Sequence, residues 1–323
     1  MSSMQPARIA LCIPAYNATA TLSRLFDSIN AQTSAFDEVW LYDDASSDAT
    51  AMQATEFGAT VVRGEKNVGC SGGKNVLLSR IQSEWVHFHD ADDELNPEFV
   101  ERAKRRIADS EFDVLLFDYE QVDEESRQTI SRSHFADSSI LDDTSAYMLR
   151  ETVNNGGVYS TAMLRNCGGF DDDAAVRFNE DRAFHLRLAG QNARFAVEPY
   201  VGCRFYYNKN SMSAANQVKC SMANQEITER FASKHPKAYC QQIIDQSWHN
   251  AGVLASYLEW NAADACIDFA LAHGGRTPGN AGKLFTLLCL INGKWAIRFR
   301  EKMIRLFKPE YRSSILQAKR SAT

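Results

Sequence analysis

Apolar positions in the first 120 residues alternate between two spacings. Short apolar runs read as strands: Arg8 to Ile13, Glu38 to Tyr42, Thr60 to Val62, Trp85 to His89 and Asp113 to Tyr119. Between them the apolar residues fall on helical faces. Leu22, Leu25, Phe26 and Ile29 stand at i, i+3, i+4 and i+7. A second helix runs from about Asp48 to Phe57, with Gly58 as its C-cap, and a third from Ser71 to Ile81. Pro97 sits at the first turn of a fourth, carried by Phe99, Ala103 and Ile107. Strands alternating with helices predict βαβ units: an α/β, Rossmann-like, mostly parallel sheet flanked by helices.

The alternation breaks after Tyr119. Residues 123–143 are polar and read as a hairpin or loop, and Gly156 to Ser160 as a strand. Residues 179–189 read as a helix with Phe184 and Leu188 inward, followed by strands at Arg194 to Val197 and Tyr200 to Tyr207. From about Ala214 only helical periodicities remain. The expected organisation is therefore an α/β domain over 1–213, divided near 120, and an all-helical C-terminal region over 214–323.

Composition narrows the class. Hydrophobic residues make up 45% and charged residues 24%, an ordinary globular balance. A net charge of -6 argues against a nucleic-acid partner. No run approaches the ~20 apolar residues of a membrane span, and Ile9 to Ile13 is too short for a signal-peptide core. The eight cysteines contain no C-x-x-C pair, so a reducing, cytoplasmic setting is expected.

The chemistry gathers at strand ends. Trp85 to His89 leads directly into Asp90, Ala91, Asp92 and Asp93. Crowded carboxylates call for a cation, and Mg²⁺ or Mn²⁺ takes one or two of them while leaving sites for water and phosphate oxygens. The first strand ends in Pro14, Ala15, Tyr16 and Asn17, the second in Asp43 and Asp44. Parallel strands share one carboxyl edge, where open α/β sheets bind ligands. A stacking ring and a carboxylate suit a nucleobase. Each piece also has a plainer use: Pro14 as a strand stop, Asp44 to Asp48 as a turn and N-cap, the acidic triplet as a helix-capping loop. The glycine-rich Lys66 to Asn75 is not a P-loop, because Gly69 and Gly73 stand one residue too close and Asn75 replaces Ser or Thr. It still suits phosphates, with a helix start and Lys74. His87 and His89 read as packed strand residues.

Taken in order, IPAYNA, DDASSDAT, KNVG, GGKN and HFHDADD, followed by GGFDDDAAVRFNEDRAFHLRLA at 168–189, resemble family 2 glycosyltransferases of the GT-A fold. The likeness covers roughly residues 7–213. It implies a nucleotide-binding half over 1–120 and an acceptor half over 121–213. It implies that Pro14, Tyr16 and Asp44, with neighbouring Ala15, Asn17 and Asp43, hold the uridine of a UDP-sugar. Asp90, Asp92 and Asp93, with Ala91 between them, would hold the ribose and the metal on the diphosphate, and Lys74 would neutralise diphosphate charge. Asp181, beside Glu180, would be the base of an inverting transfer to a glycan or lipid-linked glycan. A helix dipole opposes basicity at a first-turn aspartate, so burial or Glu180 must raise it.

Two departures stand out. The histidine that often completes this family's metal site is missing from Tyr206 to Ser213, where Lys209 offers a charge instead, and Lys74 stands where Arg is common. Further on, Lys294, Arg298, Arg300, Lys302, Arg305 and Lys308 against Glu301 give +6 − 1 = +5 over 294–308. Trp295, Phe299, Met303 and Leu306 line one side of that stretch. It reads as a basic amphipathic helix for an anionic membrane surface, or as a helix packing its stripe on the protein. Two rivals remain: a sugar nucleotidyltransferase, which would want a glycine- and arginine-rich loop after the first strand, and a non-catalytic nucleotide-sugar-binding module.

Overall fold

The computed structural model describes residues 7–109, 111–208, 216–235 and 237–313. Its elements are β1 (Ile9–Ala15), α1 (Thr19–Asn30), β2 (Glu38–Asp43), α2 (Thr50–Glu56), β3 (Thr60–Arg63), α3 (Gly69–Arg80), β4 (Trp85–Phe88), β5 (Glu94–Leu95), α4 (Phe99–Asp109), β6 (Val114–Asp123), β7 (Thr129–Arg132), α5 (Thr144–Arg150), β8 (Gly157–Ser160), α6 (Thr161–Asn166), α7 (Glu180–Gly190) and β9 (Phe195–Tyr207). Four helices follow: α8 (Gln217–Lys234), α9 (Cys240–Ser256), α10 (Trp260–Ala272) and α11 (Lys283–Phe307).

The sheet is nine-stranded in the order β3-β2-β1-β4-β8-β6-β9-β5, with β7 paired to β6. β1, β2, β3 and β4 are mutually parallel. β8 runs antiparallel to both β4 and β6, so β6 and its parallel neighbour β9 point the same way as β1. The expected mostly parallel sheet is present, with β5, β7 and β8 reversed. β1 is apolar at every position because helices cover both faces. On one face Leu22, Leu25 and Phe26 of α1 pack with Leu11, Ile13 and Leu41. Beside them Phe99, Val100 and Ala103 of α4 pack with Ile9, Leu115, Phe117 and Val158. On the other face α3 comes close at Gly73, against Pro14 and Tyr42.

One expectation changes. The two strands over 194–197 and 200–207 are one. Glu198 pairs with Phe117 and Val201 with Asp118, so Pro199 and Tyr200 bulge out and the ladder resumes. Proline has no N–H to give a ladder, which is why the pattern looked broken there. Residues 123–143 contain the β6–β7 hairpin. The short elements β5, α5 and α6 carry too few residues to show a period.

Chain contacts divide the protein into two units: Met1–Met148, Thr152–Asp172 and Glu180–Asn208 in one, and Leu149–Glu151, Asp173–Asn179 and Lys209–Thr323 in the other. The second has its own core of Trp248, Leu254, Ile267, Ala296 and Ile297. Gly293 lets α11 close on α9: a Cβ there would lie 2.7 Å from the Trp248 ring.

Candidate active site

The carboxyl ends of β1, β2 and β4 lie side by side. Pro14 pairs with Tyr42 and Ala15 with Asp43, while Cys12 pairs with Phe88 on the other flank. Tyr16 leaves the sheet 55% exposed, its ring open to stacking, whereas Ala15 is buried. Asn17 and Ala45 both adopt left-handed backbone, at φ 49 and φ 60. Such conformations persist only where neighbours hold them. Here the Asn17 N–H donates to Ser46 Oγ at 2.9 Å, and the Ser47 N–H donates to Asn17 Oδ1 at 2.9 Å.

Asp43 and Asp44 are buried, and both carboxylates are already engaged. Asp43 accepts from the Ser46 N–H at 3.0 Å and faces Arg63 Nε at 3.2 Å. Asp44 accepts from the Val68 and Gly69 N–H groups at 2.7 and 2.9 Å. It thus anchors the start of α3, as anions favour a helix N-terminus. Asp48 accepts from the Thr50 N–H at 3.0 Å, so the turn-and-cap use of this segment is realised as well.

Glycine brings α3 onto the strand ends. A Cβ at Gly73 would lie 2.8 Å from the Tyr42 ring and 3.4 Å from Pro14 Cβ. That approach carries Lys74, 1% exposed, into the protein. Its Nζ lies 3.6 Å from Asp90 Oδ1 and 3.6 Å from Asp181 Oδ1, and 5.2 Å from the centre of the Phe170 ring. Burial alone would lower the Lys74 ammonium. Asp90, the Cys70 thiol and Asp181 more than offset it and hold it well above the usual lysine range.

Beyond β4 the acidic residues divide. Asp90 is half-buried and faces Lys74. Asp92 is exposed. The protein around it, and then the charge of Asp90, push its carboxyl up to about 6. Its backbone carbonyl accepts from Arg24 of α1. Asp93 is buried and accepts from the Tyr206 N–H of β9 at 2.7 Å. Burial, Asp92 and Asp90 hold its carboxyl well above the carboxylate range. Ala91 is buried between them. Asp90 and Asp92 offer hard oxygens, and neither the Lys74 contact nor Arg24 removes the crowding that raises Asp92. That donor set fits a Mg²⁺ or Mn²⁺ ion.

α7 supplies Glu180 and Asp181 from its first turn. Asp181 Oδ1 takes Lys74 and also the side-chain amide of Asn155, while Oδ2 has no partner among the described residues. Burial pushes the Asp181 carboxyl up, Lys74 pulls it down, and Asp90 and Glu180 push it up again, leaving it at about 6. A first-turn aspartate is thereby made basic despite the helix dipole.

Sequence reasoning did not single out Asn155, Tyr159, His185, Phe170, Arg24 or Tyr206. Asp181 and His185 at i and i+4 were a usable signal. Arg24 meets Asp92 across 68 residues of chain, and nothing local announces it. Lys209 and the loop through Ser213 lie outside the described residues. His87 and His89 are buried, as expected. His87 Nδ1 lies 2.7 Å from the Gly157 carbonyl, and its Nε2 lies 3.0 Å from His89 Nδ1. With Cys203 they offer ligand atoms within 4.8 Å of one another. One proton on each ring completes these hydrogen bonds without an ion.

The family described as glycosyl transferase family 2 matches residues 10–172. An uncharacterized glycosyltransferase of Haemophilus influenzae is 34% identical over 100 residues, which cover 31% of this chain and 34% of that protein. The succinoglycan biosynthesis protein ExoO of Rhizobium meliloti is 26% identical over 224 residues, or 64% of this chain and 62% of that one. The chain therefore spans about a third to under two thirds of these relatives' lengths. Among solved structures, residues 1–349 of S. aureus TarS in complex with UDP-GlcNAc share the fold. Their TM-score is 0.69 at 19% identity, covering 93% of this chain and 92% of that one. With the matched segment spanning half the chain, and with this sheet and this clustering of strand ends, the protein belongs to glycosyl transferase family 2.

Proposed function

We propose that the protein transfers a sugar from a nucleotide sugar, a UDP-sugar, to a hydroxyl of a glycan or lipid-linked glycan in surface-polysaccharide synthesis. The observation that carries this reading is Lys74. It is buried and equidistant from Asp90 on the donor side and Asp181 on the acceptor side. Tyr16, with Pro14, Ala15, Asn17, Asp43 and Asp44 behind it, would receive the uridine. ExoO, named for succinoglycan biosynthesis, and TarS, solved with UDP-GlcNAc, support the context and the donor.

In an inverting course the acceptor oxygen attacks the anomeric carbon as the bond to the diphosphate oxygen breaks, and the leaving oxygen keeps the electron pair. Asp181 Oδ2 accepts the hydroxyl proton. Lys74 offsets the charge that grows on the diphosphate. Asp90 and Asp92, with Asp93 behind them, would hold the divalent cation, which when bound supplies further neutralisation of that diphosphate. Incubating the protein with UDP-glucose, UDP-galactose and UDP-GlcNAc and a lipid-linked acceptor extract should release UDP. EDTA should stop the release and Mn²⁺ or Mg²⁺ restore it. Release that ignores EDTA would rule out the metal.

Contact with a membrane surface is part of the proposal. No described helix is long and apolar enough to cross a bilayer. α11 nonetheless leaves Leu284 (71%), Ile291 (81%), Trp295 (50%) and Leu306 (66%) exposed. Its basic count is smaller than the sequence suggests, because Asp268 pairs with Lys294 and Asp264 with Arg298. Arg300, Lys302 and Lys308 remain for anionic lipid. Trp295 and Ile291 replaced by Ser should abolish co-sedimentation with vesicles containing phosphatidylglycerol; undiminished pelleting would remove α11 from the interface. All eight thiols are free, which supports a cytoplasmic location that cell fractionation would check.

A further inference from the structure

A buried polar chain runs behind Asp181. The side-chain amide of Asn155, just ahead of β8, donates to Asp181 Oδ1. The Tyr159 hydroxyl, from β8 itself, donates to Asn155 Oδ1 at 3.4 Å. His185 Nε2, one turn beyond Asp181 on α7, lies 2.8 Å from the same hydroxyl. Tyr159 and His185 are fully buried and Asn155 is 5% exposed. The Tyr159 ring is edge-on to Phe184 with centroids 5.1 Å apart, and Phe184 stacks on Phe170 at 4.0 Å. Packing therefore fixes the tyrosine, and the tyrosine fixes the amide.

That order decides which way the amide faces. An asparagine can turn its oxygen or its nitrogen toward a neighbour. With the Tyr159 hydroxyl donating to the oxygen, the nitrogen is left for the carboxylate. Asp181 Oδ1 is then occupied by Asn155 and Lys74, and Oδ2 is the oxygen left to meet a substrate. For that, His185 carries its proton on Nε2 and donates to the Tyr159 oxygen, while its buried Nδ1 has no hydrogen-bond partner among the described residues. A buried chain joined this way favours one geometry.

We propose that Asn155 is a positioning residue for the transfer reaction, with Tyr159 and His185 as its support: the relay pins Asp181 Oδ1 and presents Oδ2 to the acceptor hydroxyl. The inference rests on the reading of Asp181 as the base. None of the three residues touches substrate. Their action is on the orientation of the carboxylate, so the effect belongs in kcat and not in donor binding.

Two measurements test it on the full-length protein. The first is kinetic, with UDP-sugar turnover read as UDP release. Asn155→Ala should lower kcat by about 10- to 100-fold, the range spanned by one hydrogen bond to a charged group. KM for the donor and affinity for UDP should stay unchanged. Tyr159→Phe keeps the ring in the core and should lower kcat less, in the same direction. The double variant should be no slower than Asn155→Ala alone, because both act through one contact. Fully multiplied losses, or a raised KM with kcat intact, would overturn the relay. The second measurement needs no turnover. Crystal structures with UDP and Mn²⁺ should show one Asp181 rotamer in the native protein and a rotated or split carboxylate in Tyr159→Phe and Asn155→Ala. An unmoved carboxylate in both variants would overturn the proposal. Asp181→Asn separates the two levels. If it still transfers sugar, the base reading fails; if it is dead while the relay variants behave as native, only the relay fails.

Discussion

Asp181→Asn should lower sugar transfer by about 10²- to 10⁴-fold, the usual worth of a positioned general base, while UDP affinity stays within about twofold. The amide keeps the shape of the carboxylate and can still meet Asn155, but it cannot accept the acceptor's proton. The proposed donor contacts are elsewhere, at the ends of β1, β2 and β4. The native enzyme should also show an acidic limb. Its Asp181 carboxyl stands near 6, raised by burial and by Asp90 and Glu180 against the pull of Lys74, and only the carboxylate can take a proton. Turnover should therefore rise with pH through about 6 and level off above it. The sign for stability is the opposite. A carboxyl held above its unfolded value favours the folded state most when protonated, so this group's cost is felt at neutral pH and fades as pH falls through 6. A variant Asp181→Asn protein that keeps native turnover would remove the residue from the chemistry.

Lys74→Met should fail twice. It removes the charge that offsets the departing diphosphate, which should slow transfer by about 10²-fold. It also leaves Asp90 and Asp181 facing each other without their common cation. Unpairing a buried charge costs about 3–5 kcal/mol. The low end applies, because the Asp90 and Asp181 side chains keep 46% and 28% of their exposure and water softens the loss. The penalty should be full at pH 8 and shrink in mildly acidic buffer as the Asp181 carboxyl protonates. Urea melts at pH 8 and pH 5 read this directly. Equal stability of variant and native protein at pH 8 would mean that the lysine does not hold the two carboxylates together.

Much of this was legible in the chain because the relevant signals are local. β1 and β2 announce themselves as apolar runs cut by Pro14 and by Asp43-Asp44, and β4 by three carboxylates at its end. Their adjacency follows from parallel strands sharing an edge. The relay was not legible. Asn155 just ahead of β8, Tyr159 within it and His185 in α7 are ordinary polar residues, and only the β4–β8 pairing together with the packing of α7 brings them behind Asp181. Arg24 was hidden for a similar reason, since a surface charge on α1 looks like any other until it meets the Asp92 carbonyl. Asp43 and Asp44 show the opposite limit. Their position at the site was readable, but not that Asp43 ties down a turn or that Asp44 anchors α3. β9 was misread because proline suggests a break, whereas β6 carries the ladder past the bulge, pairing with Glu198 before it and Val201 after it.

The most direct test of the central claim is calorimetric titration with UDP, GDP, CDP and dTDP, each with and without Mn²⁺. The account predicts that UDP binds tightest and that its affinity falls when the metal is withheld or when Asp92 is replaced by Asn. No binding by any of the four, with or without metal, would contradict a nucleotide site at these strand ends.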